Sequence, residues 1–244
     1  METPSPLVAT DMKGIYGDDT AHWSLCMGGG GAAEAVTACS ALIDGRKELA
    51  DSLPYAYVYR GKAHLALNED DLAFQDFTAA VKFDPPLAHA YYGLGEVYKA
   101  REDWAHAAED FGKAAERQSE DTDIDAFTAD VEGTFRADSL TEHGYAVFKT
   151  GDLNAPLADF EQASKLCPTC SEPWRHRALV LDAQQKTEEA LAAVDRAIAL
   201  NPRSAAAFFV RGLIKAPGLP PSNFAAMAAF ASNPRTPRKA ARWK

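Results

Sequence analysis

The sequence predicts an all-α solenoid of stacked antiparallel helix pairs. Three observations carry that prediction: an alanine-rich, helix-forming composition, a recurrence of small and large residues every 34 positions, and proline-closed phrases at one register of that repeat.

Hydrophobic residues make up 47% of the 244 positions, and aromatic residues 10%. Alanine leads the apolar set, and long stretches consist of Ala, Glu, Asp, Lys and Leu. Such residues lose little side-chain freedom in a helix. No apolar run approaches the roughly 20 residues needed to cross a bilayer. The opening METPSPLVATDMKG lacks the basic start and apolar core of a secretory leader, which points to a soluble, cytoplasmic protein. A periplasmic or exported location is the alternative if a leader precedes this sequence.

The period is read from Gly61 and Gly95, which stand 34 apart, and from Gly144, Ala178 and Gly212, which continue the spacing. Residues 54–87 carry Tyr57, Gly61, Ala73, Phe77, Ala80 and Pro85; residues 88–121 carry Tyr91, Gly95, Tyr98, Ala107, Phe111 and Ala114. Residues 137–170 carry Leu140, Gly144, Phe160, Ala163 and Pro168, and residues 171–204 carry Trp174, Ala178, Leu181, Ala190, Val194, Ala197 and Pro202. A large residue followed four positions later by a small one sets a knob and a gap on one face of a first helix. The second helix brings Ala, then Phe or Val, against that face. VKFDP, SKLCP and IALNP close it, because proline ends a helix. No such unit buries both its faces alone, so units stack.

The other segments follow in order. Residues 1–31 read as irregular. Residues 32–53 hold a degenerate cap helix, AAEAVTACSALIDG, and a linker, with Trp23 and Cys26 in a shortened partner helix cut off by Gly28–Gly31. Residues 122–136 are an acidic insertion, which forms either an extra helix or an extension of the next one. Pro156 fits the first turn of its helix, with Asn154 near the cap. Residues 205–232 form a degenerate helix pair, the second helix opened by Ser222. Residues 233–244 are a basic tail, expected to be disordered.

Residues 54–121 and 137–204, with their Tyr/Gly and Ala/Phe register, resemble the tetratricopeptide-repeat (TPR) family, over roughly residues 32–214. The resemblance implies a right-handed TPR superhelix whose first helices line a groove for another protein. Carried across by repeat position, the partner-binding candidates are Tyr55, Tyr59 and Lys62 in the first repeat and His89, Tyr92, Glu96 and Lys99 in the second. Tyr145 and Phe148 follow in the third, and Arg175 and His176 in the fourth. Val58 and Leu65 fall on the same set of positions. Tyrosine suits such a surface, with large contact area and a polar tip. Some members of the family grip a peptide's terminal carboxylates; Lys62 matches one position of that set, but Gly93, Glu142 and His176 do not supply the rest.

Four cysteines form two close pairs. W-x-x-C and A-x-x-x-C-S-A-L-I, around Cys26 and Cys39, resemble a group of bacterial TPR proteins, many exported, with two cysteines ahead of the first repeat. That resemblance implies a Cys26–Cys39 bridge, whereas a reducing cytosol would leave two buried thiols. Cys167 and Cys170 form CPTC across the turn that the repeat closes with proline. A local disulfide or structural role competes there with a thiol-redox or metal-linked function, which is the alternative reading of the whole protein.

Asp121, Asp123, Asp125 and Glu132 approach a calcium-loop spacing, but Ala126 stands where that loop needs glycine, so a solvated helix start explains them better. Gly28–Gly31 lacks the GK[ST] of a phosphate loop, and there is no HExxH or GxSxG. The sequence therefore points to a non-enzymatic scaffold or adaptor, without cofactor or metal, whose partner is another protein or peptide. Charge argues against nucleic acid. The net charge of −10 comes from an acidic body, while residues 203–244 carry 8 Lys/Arg and no carboxylate, so the tail suits contact with acidic surfaces.

Overall fold

The computed structural model describes residues 20–45, 52–117 and 126–215, with side chains from residue 133 onward in the last stretch. The expected helix at 222–232, the basic tail and the carboxylates Asp121, Asp123 and Asp125 lie outside the described residues. Those residues hold eleven α-helices and a π-helical turn, and no strand. The chain divides into two compact units, Met1–Asp125 and Ala126–Lys244.

In the first unit, α1 (Thr20–Ser24) runs into the π turn Leu25–Gly29, where Gly28 turns the chain at φ 97°. Helix α2 (Ala32–Asp44) follows. Two antiparallel pairs come next: α3 (Leu53–Ala66) with α4 (Asp70–Phe83), and α5 (Ala88–Ala100) with α6 (Trp104–Arg117). Helix α2 packs on α3, and α4 on α5, so the pairs stack. Trp23, Cys26, Cys39 and Leu42 close the end of the stack and share one core with Tyr57, Phe77 and Tyr91.

The second unit opens with α7 (Ala126–Lys149), a single helix of 24 residues. Residues 126–136 of the acidic insertion thus extend the first helix of its repeat. Helix α8 (Pro156–Leu166) pairs with α7, α9 (Glu172–Ala183) with α10 (Thr187–Leu200), and α11 (Ala205–Lys215) packs on both α9 and α10.

Local chemistry fixes the helix ends. Proline enters the first turn of α3, α8 and α9, where its missing N–H goes unmissed. Acidic pairs, Asp70–Asp71 and Glu188–Glu189, open α4 and α10, where the helix dipole favours negative charge. Before α8, Asp152 and not Asn154 supplies the acceptor: its Oδ1 takes the N–H groups of Asn154 at 2.7 Å and Ala155 at 3.1 Å.

The turns inside the pairs are alike. Asn68, Glu102 and Gln185 all adopt left-handed backbone (φ 59°, 57° and 63°), as does Gly151 at 105°. The N–H groups of Glu69, Asp103 and Lys186 each reach back to a carbonyl five residues earlier at 2.9 Å, which satisfies the helix end.

The knob-and-gap reading has a direct counterpart. A Cβ placed on Gly61 would lie 2.8 Å from Phe77, one on Gly95 2.7 Å from Phe111, and one on Gly144 2.8 Å from Phe160. In the fourth repeat Ala178 and Val194 fill the same places, both fully buried.

Candidate interaction surface

In the first unit, α3 spends most of its surface on packing: Ala56, Tyr57, Val58, Gly61, Ala63 and His64 are buried. Val58, 2% exposed, therefore belongs to the core and not to the groove. The stripe left over runs through Tyr55, Tyr59 and Lys62, at helical spacings that share a face. Tyr55 is 39% exposed. On α5, Ala88, Ala90, Tyr91, Leu94 and Val97 are consumed in the same way, and His89, Tyr92, Glu96 and Lys99 remain partly accessible.

Core rings support this stripe from beneath. Phe111 meets Tyr92 edge-on, with centroids 5.2 Å apart, and lies 5.8 Å below Lys99 Nζ. Lys99 in turn donates to Glu96 Oε1 at 2.5 Å. Lys62 Nζ stands 5.5 Å from the centroid of Tyr59, a cation–π arrangement. Surrounding protein lowers the Lys62 pKa through desolvation. Desolvation, helped by the Lys62 charge, also brings His89 down to about 4, so its imidazole is neutral at pH 7. The Lys62–His89 coupling shows that the stripes of α3 and α5 adjoin.

The second unit carries a different surface. Tyr145 on α7 lies 4.3 Å from the His176 ring on α9, and 6.4 Å from Phe148. His176 is 4% exposed and stacks on Phe160 at 6.0 Å. It occupies the repeat position of Gly93, whose missing side chain lets Phe77 approach α5. His176 is thus a layer beneath Tyr145 and not part of an open face. Arg175 donates from Nε to Glu172 Oε2 at 2.7 Å and from Nη2 to His176 Nε2 at 2.7 Å. Because guanidinium only donates, His176 Nε2 is the acceptor, and its proton sits on Nδ1. Nearby, burial raises the pKa of Asp138, and the negative charges of Glu142 and Glu172 add to the rise. Of these features, the support by Phe111 and the acidic trio needed the three-dimensional structure to appear. The trio falls on repeat positions of the first-helix set, which is the signal that could have grouped it.

Both cysteine pairs are joined. Cys26 and Cys39 have Cα atoms 4.8 Å apart and tie the π turn to α2; Cys167 and Cys170, 5.4 Å apart, close the turn between α8 and α9. Among the described residues no group of three His, Cys, Asp or Glu side chains is placed to hold a metal. No described helix is long and apolar enough to cross a membrane.

With its paired helices, period and small–large seams, the chain is a tetratricopeptide-repeat protein by fold. No protein-family model matches it. Among solved structures it resembles YrrB, a TPR protein with an unusual peptide-binding site, at TM-score 0.54 and 21% identity, covering 81% of this chain and 93% of that one. It also resembles PilF of Pseudomonas aeruginosa, at TM-score 0.58 and 18% identity, covering 75% and 78% respectively. A curated relative, the human mitochondrial import receptor subunit TOM70, is 25% identical over 160 residues, 66% of this chain and 25% of that protein. The match thus spans about a quarter of the relative's length. TPR folds mediate protein–protein interactions and are typically non-enzymatic.

Proposed function

We propose that this chain is a non-enzymatic scaffold or adaptor that binds a segment of another protein along the uncovered faces of its first helices. The observation that carries the reading is the division of labour on α3 and α5. Every other face of these helices is used for stacking, yet one stripe keeps Tyr55, Tyr59, Lys62, Tyr92, Glu96 and Lys99 within reach of solvent. Aromatic rings held rigid by core packing lose little entropy on binding. In the second unit Tyr145, Phe148 and Arg175 take the corresponding part. The peptide-binding site named for YrrB and the receptor role named for TOM70 favour a partner of this kind.

The joined cysteine pairs support the exported alternative for location, since structural disulfides persist in oxidising compartments. In this reading Cys167–Cys170 is a staple and not a redox centre: Cys167 is 7% exposed and ends a helix.

A photo-crosslinking amino acid placed at Tyr55, and separately at Phe83 on α4, tests the binding mode in cells. A protein cross-linked from position 55 and not from position 83 supports binding on the α3–α5 face; capture from position 83 alone defeats it.

A further inference from the structure

The cap that opens the first unit has too little packing to hold itself in place. Residues 20–29 form a helix of 5 residues and a π turn of 5 more, and Gly28 and Gly29 end it. Helices this short do not persist alone in water, and glycine adds to the freedom that ordering removes. Among the described side chains of this segment, Trp23 and Cys26 are buried and Met27 is half-buried, whereas Ala21, His22, Ser24 and Leu25 are exposed. By contrast, α3 buries eight of its 14 residues. The covalent tie is the Cys26–Cys39 bridge, from the π turn to α2. With it in place the π turn packs on both α2 and α3, and it meets α3 much as α3 meets α5. Trp23, Cys26 and Val58 then share one core. Val58 falls on the repeat position of Tyr92, which stays partly accessible on α5.

We propose that Cys26–Cys39 is a redox latch on this cap. Formed, it seats residues 20–29 on α2 and α3 and ends the uncovered surface of the first unit short of Val58. Reduced, it releases that segment, and the surface runs on through Val58. Closure is a thiol–disulfide exchange with a disulfide-bearing oxidant: the two cysteine thiols become one S–S bond, and the oxidant's disulfide takes up the two electrons and two protons and leaves as a dithiol. Cys26 and Cys39 are 2% and 0% exposed, so a reducing thiol reaches their sulfurs only after the cap has opened. The latch therefore closes on arrival in an oxidising compartment and stays closed there. It concerns the end of the stack and stands whether or not the α3–α5 face binds a protein.

Hydrogen exchange of the full chain, read by mass spectrometry, tests the latch on wild type, Cys26→Ala/Cys39→Ala and Cys167→Ala/Cys170→Ala. Alanine is chosen because a buried serine hydroxyl would add a cost of its own. Without Cys26–Cys39, the amides of residues 20–29 should exchange about a hundredfold faster, the factor expected from losing closure of a loop of this length. Helices α5 and α6 should keep their wild-type protection, and loss of Cys167–Cys170 should leave residues 20–29 unchanged. Hydroxyl-radical footprinting gives a second readout: Trp23, fully buried in the bridged chain, should become as reactive as an exposed indole once the bridge is gone. Unchanged protection of residues 20–29 in the Cys26→Ala/Cys39→Ala chain overturns the inference, since the cap then seats itself. Loss of protection through α3, α4, α5 and α6 together with the cap overturns it too, because the bridge is then a staple of the whole unit and not a latch on its end.

Discussion

Gly61 lies so close to Phe77 that a Cβ on the glycine would stand 2.8 Å from the ring. Gly61→Ala should therefore force the ring or the helix to move, at a cost of about 1–3 kcal/mol, measured by urea denaturation. Gly133 in α7 is the control, because a Cβ there meets nothing nearer than 3.9 Å. Gly133→Ala should raise stability by about 0.5–1 kcal/mol through helix propensity alone. Equal effects at the two sites would refute the seam.

The left-handed turns offer the opposite manipulation. Glu102 and Gln185 hold φ values of 57° and 63°, which cost a residue with a Cβ roughly 1 kcal/mol relative to glycine. Glu102→Gly and Gln185→Gly should each stabilise the chain by up to about 1 kcal/mol, offset in part by the freer unfolded chain. Thermal melts of the two variants give the sign, and a clear loss in both would count against the turn geometry.

Acid sensitivity should pass through His89. Its pKa falls from the ordinary 6.5 to about 4 in the folded chain. A depressed histidine contributes stability that is complete above the unfolded value and is lost as pH falls through the folded one. Stability should therefore decline between about pH 6.5 and 4, and His89→Gln should flatten that part of the profile. Urea midpoints measured across the range would show whether the two curves converge or run parallel.

The two disulfides should differ in weight. Cys26–Cys39 closes a longer loop than Cys167–Cys170, with sequence separations of 13 and 3. Loop-closure entropy assigns them about 3 and about 2 kcal/mol. The first also holds the fully buried Trp23 against α2. Cys26→Ser/Cys39→Ser should therefore lower the denaturation midpoint more than Cys167→Ser/Cys170→Ser, and the reverse order would disprove this assignment.

The helices were legible in the sequence because the seam between paired helices depends on residue size at fixed spacing, and Gly61, Gly95 and Gly144 display it openly. The left-handed turns were not, since Asn68, Glu102, Gly151 and Gln185 share a backbone conformation and no side-chain property. Asp152 was missed as the helix-start acceptor because Asn154 is an equally good capping type and nearer to Pro156. The surface was legible only as repeat positions. Which of them stay open depends on neighbours in the next repeat, so Val58 sank into the core and His176 slid beneath Tyr145.

Phe77 touches Gly61 within its own repeat and Gly93 in the next, and Phe160 stands likewise between Gly144 and His176. One ring thus belongs to two helix pairs at once, and neither pair keeps its core if the other opens. Within each unit the neighbouring repeats should melt as a single cooperative block, with amide protons of α3 and α5 exchanging at matched rates.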